Sequence, residues 1–248
     1  GYLGMAWPEK YGGRGMAPVY QSIADQEMKR LRVPICFNVI GLGWAGPLIM
    51  DIGSDYEKDK HLKGILNADD IWCQGFSEPN HGSDLGSIQT KAERDGSDYV
   101  LNGSKIWTTM GNYAKYMILL ARTDAQVERR YNGLSFFLAP MHTDGITTQP
   151  IKKLTGEYGF TETFFTDARI PADCIMGEEG QGWRIAMKTL QYERGAEAGA
   201  AGGISILSIV MNDLLKMAQD VEREGQPLMK DPVTRDNLVK FLIEEKAL

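Results

Sequence analysis

Three patterns of hydrophobic spacing follow one another along the chain. From residue 18 to about 70, Val19, Ile23, Gln26/Glu27 and Arg30/Leu31 recur at helix spacing. The segment Gly41-Leu-Gly-Trp-Ala-Gly-Pro reads as a break, after which residues 48–53 and 57–66 resume the helical pattern. From 71 to about 171 the period drops to two. Tyr99-Val-Leu, Asn102-Gly103 and Ser104-Lys-Ile-Trp predict a hairpin, because Asn-Gly can supply the two positive φ values of a type I′ turn. Residues 116–121, 134–139, 146–150 and 163–165 read as further strands between Gly- or Asp-bearing turns. The helical period returns at Gly182-Trp183 and runs to about 224 with no proline inside it. Gly225-Gln-Pro ends it, and another helix is expected near Pro232. Helices, then strands, then helices predict an α+β fold with segregated parts, not alternating βαβ units. No Gly-x-Gly-x-x-Gly follows a strand, so a Rossmann site is not indicated.

Composition narrows the picture only a little. With 248 residues the chain can bury a real core, as one large domain or two smaller ones. Its 27 basic and 33 acidic residues leave a net charge of −6, which argues against nucleic acid as the main partner. The longest apolar runs, such as 204–210, are far short of a membrane span. Three widely separated cysteines, Cys36, Cys73 and Cys174, suit reduced thiols better than a disulfide framework. His61, His81 and His142 lack metal-ligand spacing, and no metal site is expected. The chain starts at Gly1 without an initiator Met and stops at Leu248 inside a helical pattern that has no cap. It therefore reads as a piece of a longer polypeptide, with any targeting signal lost.

Two places carry candidate chemistry. Cys73-Gln-Gly-Phe-Ser-Glu-Pro-Asn-His-Gly-Ser-Asp84 is a polar loop broken by Gly and Pro, in which Ser77, Gly82, Ser83 and nearby N–H groups can donate to phosphate or ring heteroatoms. Two dozen residues later a strand delivers Trp107, Thr108 and Thr109. Donors facing an aromatic wall suit a flat, phosphate-bearing cofactor. Singly, Ser-Glu-Pro is a surface turn and Trp107 a core residue; together they indicate a site. His81 reads either as a turn residue or as a phosphate contact. The second place is a helical stripe of Trp183, Met187, Leu190, Glu193/Arg194, Glu197, Ala200/Ala201, Ile204 and Leu207. Its charged middle must be paired, face a cleft or meet a ligand, since an unpaired buried charge costs several kcal/mol. Gly195, Gly199, Gly202 and Gly203 just beyond suggest another helix or a thin ligand passing close to the backbone.

Four motifs in order resemble the acyl-CoA dehydrogenase family over essentially the whole chain. They are Trp7-Pro-Glu-Lys-Tyr-Gly-Gly, the loop from Cys73, the strand ending in Trp107-Thr-Thr, and Arg169-Ile-Pro-Ala-Asp-Cys-Ile-Met-Gly-Glu-Glu-Gly-Gln-Gly-Trp183. The resemblance implies an N-terminal helical domain (1–70), a middle β-barrel domain (71–180) and the start of a C-terminal helical domain (181–248). It implies FAD as cofactor, with Gln74, Phe76, Ser77, Gly82, Ser83, Trp107, Thr108 and Thr109 around it. Trp107 would pack on the isoalloxazine, Thr109 would bond near its reactive nitrogen, and Ser83 would also lie near the CoA pantetheine. Asn80-His81 stands where the family usually has two small residues. Most members take the catalytic glutamate from much later in the chain. A subset places it on this helix just before an arginine, a position held here by Glu193, with Arg194 orienting it or meeting the CoA end. The implied reaction is dehydrogenation of an acyl-CoA to a trans-2-enoyl-CoA. An electron-transferring flavoprotein is the implied acceptor, and the implied assembly is a homodimer, a homotetramer or a heteromer. The loop and Tyr192-Glu-Arg-Gly195 are most similar to a bacterial branch acting on bulky, branched or dicarboxylic acyl groups. That points to the bacterial cytoplasm, with the mitochondrial matrix as the other option. A flavin oxidase or monooxygenase on the same scaffold, and a non-catalytic subunit of a heteromer, are the rival readings.

Overall fold

Local chemistry sets the helices of the N-terminal part. The computed structural model describes residues 2–31, 33–34, 36–198 and 211–247. Helix α1, Pro18–Arg30, opens on a proline, whose missing N–H is harmless in a first turn. Helix α2, Gly46–Ile52, continues directly from a π-helical turn at Gly41–Ala45. The Gly-rich segment expected to break the helix is therefore itself helical. Pro47 cannot donate an N–H, and the wider turn, with Gly46 N–H bonded to the Gly41 carbonyl, carries the chain past it. Helix α3, Asp55–Asn67, starts with a reciprocal cap: Ser54 Oγ accepts from Glu57 N–H, and Glu57 Oε2 accepts from Ser54 N–H at 2.6 Å.

The middle of the chain forms one eight-stranded sheet. Its strands are β1 Trp72–Gly75, β2 Lys91–Asp95, β3 Asp98–Thr109, β4 Tyr116–Arg122, β5 Leu134–Pro140, β6 Ile146–Lys152, β7 Tyr158–Pro171 and β8 Ile175–Met176. They lie in the order β6-β7-β3-β2-β4-β5-β8, with β1 parallel to β4. β4 reads Tyr-Met-Ile-Leu-Leu-Ala-Arg, without alternation, because both of its faces are covered. Ile118 and Leu120 join Trp72, Phe76 and the helices α2 and α3 in one core. Met117, Leu119 and Ala121 join Leu101, Phe137 and Phe165 in a second. Buried Asn38 ties the helical part to the sheet: it donates to the carbonyls of Ile65 and Asp70 and accepts from Trp72 N–H at 3.0 Å.

The expected Asn102-Gly103 hairpin is not formed. Both residues lie inside the continuous strand β3, and the turn falls earlier, between Asp95 and Asp98, with Gly96 at φ +63°. Asn102 instead holds a bulge in β7. Its side chain accepts from Asp167 N–H and donates to the Asp167 carboxylate, where Asp167 has φ +47°. Gly103 is required for another reason: a Cβ there would lie 2.7 Å from Thr90 Cα.

Helix α4, Gly182–Ala198, packs Trp183, Met187 and Leu190 on the first core. It belongs with the helices and sheet to one compact unit, residues 1–203; residues 204–248 form a second. In the second unit, helix α5 (Met211–Asp220) ends before a small hairpin of β9 (Glu222–Arg223) and β10 (Gln226–Pro227). Helix α6, Pro232–Ala247, follows, as expected near Pro232. Gly199, Ala200, Ala201, Gly202, Gly203, Ile204 and Leu207 lie outside the described residues, as does the side chain of Glu197. All three cysteines are free thiols, with Cys73 and Cys174 buried. Among the described residues no helix is long and apolar enough to cross a membrane, and no group of His, Cys, Asp or Glu is placed to hold a metal ion.

Candidate functional site

A cavity of about 260 Å³ opens on the helix-facing side of the sheet. It is lined by Ile40, Trp44, Gln74, Phe76, Ser77, Ile106, Trp107, Thr109 and Glu193. Four pieces of chain supply these walls: the π-helical turn and the residue before it, the end of β1 with the loop that follows, the end of β3, and α4. Of the positions singled out in the sequence, the fold brings Gln74, Phe76, Ser77, Trp107, Thr109 and Glu193 onto one cavity.

The end of β3 shows how local geometry makes this possible. Against β7, three steps from Lys105 to Thr108 match two from Thr163 to Thr161, so β3 carries one extra residue. Trp107 sits in that bulge at φ +61°, where a large side chain is an outlier. The bulge presents the indole at 57% exposure, edge-on to Phe160. Thr108 points the other way. It is fully buried, its carbonyl accepts from Thr161 Oγ1, and its own Oγ1 has no protein partner.

Glu193 meets the cavity from α4, and Gln74 Nε2 donates to its Oε2 at 3.4 Å. The neighbouring turn of α4 is clamped to the end of α2: Lys188 Nζ lies 2.5 Å from Asp51 Oδ2, and Tyr192 OH also bonds Asp51. Arg194 is exposed and is not on the cavity wall. Gly82 and Ser83 are exposed on the loop, outside the lining. His81 is half-buried and exchanges two backbone hydrogen bonds with Glu78, which makes Glu78-Pro79-Asn80-His81 a tight turn.

Beneath the loop lies an ion pair that sequence reasoning passed over. Lys105 is 0% exposed; its ammonium donates to Glu78 Oε1 at 2.9 Å and to the Phe76 carbonyl at 3.0 Å. Glu78 also accepts from the N–H groups of Gln89 (2.6 Å) and Thr90 (2.8 Å). Burial pulls the Lys105 pKa down, against the upward pull of the Glu78 carboxylate beside it. Burial pushes the Glu78 carboxyl up, but the Lys105 ammonium and the Gln89 and Thr90 donors hold it below its usual range. Ile40 and Trp44 were missed as well. Their signal was the Gly-Leu-Gly-Trp-Ala-Gly-Pro segment, whose glycines and proline mark a widened turn as well as they mark a break.

The donor set fits a flavin. Trp107 offers a flat apolar wall, and Ser77 and Thr109 place hydroxyl-bearing residues along it. Trp44 Nε1 and Gln74 Oε1 have no protein hydrogen-bond partner. The volume suits a ring system more than a whole dinucleotide, since small-molecule pockets run from about 300 Å³ upward.

Comparison with known proteins agrees with this geometry. Models of the acyl-CoA dehydrogenase N-terminal, middle and C-terminal domains match residues 1–69, 73–168 and 180–248. The chain is 36% identical over 231 residues to acyl-CoA dehydrogenase IpdE1 of Mycobacterium tuberculosis, covering 93% of this chain and 59% of that protein. It is 33% identical over 252 residues to the human mitochondrial short-chain specific acyl-CoA dehydrogenase, covering 100% and 59%. The solved Tcur3481-Tcur3483 steroid ACAD superposes with a TM-score of 0.86 at 33% identity, over 100% of this chain and 61% of that one. The chain thus spans roughly three-fifths of each of these relatives. Members of this family are FAD-dependent flavoproteins. With three family domains matched in order and the cavity where their middle part meets the helices, this chain belongs to the acyl-CoA dehydrogenase family.

Proposed function

We propose that the protein is an FAD-dependent acyl-CoA dehydrogenase that converts an acyl-CoA to its trans-2-enoyl-CoA with Glu193 as the base. One observation carries the reading: the Glu193 carboxylate shares a cavity with the Ser77, Trp107 and Thr109 wall. Bound against that wall, FAD supplies the acceptor for the hydride leaving the β carbon. Glu193 takes the α proton, and Gln74, bonded to Glu193 Oε2, holds the carboxylate toward the cavity. Phe76, Ile40 and Ile106 keep that proton transfer away from bulk water. Gly82, Ser83 and Arg194, which are exposed, are the proposed contacts for the longer parts of FAD or CoA. An electron-transferring flavoprotein is the proposed acceptor. The proposed assembly is a homodimer or homotetramer, or a heteromer if a second chain joins it.

The relatives include both a short-chain specific acyl-CoA dehydrogenase and a steroid ACAD, so the proposed substrate range extends from short to bulky acyl groups. The test is an anaerobic titration of the flavin-loaded protein with short, branched, dicarboxylic and polycyclic acyl-CoAs, following the oxidised flavin band. One class should bleach it. Glu193→Gln should keep its flavin and slow bleaching by about 10²- to 10⁴-fold. Unchanged bleaching would remove Glu193 from the role of base. A flavin-loaded protein that no thioester bleaches, but that consumes oxygen with a substrate lacking CoA, would be an oxidase instead. A protein that binds no flavin would be a silent subunit.

A further inference from the structure

We infer that the buried Lys105–Glu78 pair is a positioning device for the cofactor cavity, joining its loop wall to its strand wall; this rests on the flavin reading above. Two stretches of backbone meet along one side of the cavity. Phe76 and Ser77 come from the loop, and Ile106, Trp107 and Thr109 come from the end of β3. Lys105 immediately precedes the second group, and Glu78 immediately follows the first.

A buried ion pair is by itself weak evidence of stability. Well-packed apolar replacements are often neutral or stabilising, because desolvating two charges offsets their attraction. What the pair does is geometric. The Lys105 ammonium reaches from β3 to the carbonyl of a cavity residue, Phe76, and to the carboxylate beside another, Ser77. Ile106 N–H donates to the Ser77 carbonyl at 2.9 Å, adding a backbone tie at the same level. Glu78 then fixes the far end of the loop through Gln89 and Thr90 N–H, and Thr90 Oγ1 returns a bond to the Ser104 carbonyl on β3.

The loop is therefore gripped at residues 76–78 against Lys105 and Ile106, and at Thr90 against Ser104, with Gln89 and Thr90 also tied back to Glu78. The residues between include the exposed Gly82 and Ser83. The register of Phe76 and Ser77 against Trp107 is held by these polar ties together with the Ile106–Ser77 backbone bond. Neither Lys105 nor Glu78 lines the cavity, so the pair acts through its neighbours.

The test uses the flavin-loaded protein and two variants. Lys105→Met with Glu78→Gln removes both charges, so neither is left buried alone, but it takes a donor from the Phe76 carbonyl and an acceptor from one of the Gln89 and Thr90 N–H groups. Glu78→Asp keeps both charges but shortens the reach of the carboxylate. Measured for each are the melting temperature, the FAD dissociation constant, and the position and fluorescence quenching of the bound flavin. The double variant should stay folded and melt several degrees below the parent, because of those lost hydrogen bonds. Its FAD binding should weaken by about tenfold or more, with altered quenching, because the two walls lose their register. Glu78→Asp should be intermediate in binding and fully folded. A folded double variant with parental FAD affinity and spectrum would overturn the inference and leave the pair a fold element only. If the double variant fails to fold, Glu78→Asp decides alone, and parental binding by it is the overturning result. A parent that binds no FAD refutes the flavin reading instead, a result distinct from equal binding by all three proteins.

Discussion

Trp107 combines strain and exposure at one residue. A bulky side chain at φ +61° costs about 1–3 kcal/mol, and here the bulge that imposes it also turns the indole out of the sheet. Such strain is maintained because the surrounding ladder, from Thr108–Thr161 onward, fixes the register on either side. His61 is a residue of the opposite kind. It is 2% exposed, edge-on to both Trp72 and Tyr116, and burial, with the Lys60 charge assisting, brings its pKa down to about 4. Its folded pKa lies below the ordinary value of 6.5, so the unfolded chain binds the extra proton first. The stability it contributes is complete above about pH 6.5 and is lost as pH falls toward about 4, by at most about 3 kcal/mol. Urea unfolding at pH 7 and pH 5 should show a drop in the parent that is smaller in His61→Phe. An equal drop in both would clear His61 of the effect. Sequence reasoning placed no function at His61, and the structure gives it only packing. Residue type and motif order singled out Gln74, Phe76, Ser77, Trp107, Thr109 and Glu193, and these six line one cavity. Thr108 differs because the bulge decides which of three consecutive residues faces the cavity, and no one-dimensional pattern carries that information.

The hairpin shows the same limit at the scale of an element. Asn-Gly is a strong turn signal, yet the β2–β3 turn forms around Gly96, and Asn102-Gly103 runs on as strand. Tertiary contacts decided between them: Asn102 has a partner in Asp167, and Gly103 lets Thr90 approach. The two glycines should therefore respond differently to alanine. At Gly96 (φ +63°) a Cβ meets nothing within 4 Å, so Gly96→Ala should cost only the backbone strain, about 1–2 kcal/mol. At Gly103 (φ +142°) the new Cβ meets backbone at 2.7 Å, and Gly103→Ala should cost about 2–4 kcal/mol. Denaturant midpoints give the order directly, and a larger loss at Gly96 would contradict this account of the sheet. The Gly41–Ala45 segment is a parallel case. Its glycines and Pro47 announce a departure from α geometry, but only packing, with Trp7 lying where a Cβ on Gly46 would go, selects a π turn over a chain break.

Over the whole molecule, β4 is the element on which the first compact unit is built. Leu120 is buried in the core beneath the helices and Leu119 in the core on the other face, both at 0% exposure. Leu119→Ala and Leu120→Ala should each cost about 2–5 kcal/mol. Because the side chains share no core, the double variant should come within about 0.5 kcal/mol of the sum; a larger discrepancy, measured by denaturation, would mean that the two cores are coupled through the strand. Hydrophobic period and motif order were enough to determine the helix–sheet–helix sequence of elements, most strand positions, the family, and a loop and a helix that line one cavity. These follow from local propensity and from residue types that few chemistries use. The tertiary structure alone decided which side of β3 faces the cavity, that the Gly-rich turn supplies Ile40 and Trp44, and that Lys105 and Glu78 meet beneath the loop. Each depends on a bulge, a π turn or a contact between residues 27 apart in the chain. Such features arise only when distant segments compete for the same space, and spacing along the sequence does not record that competition.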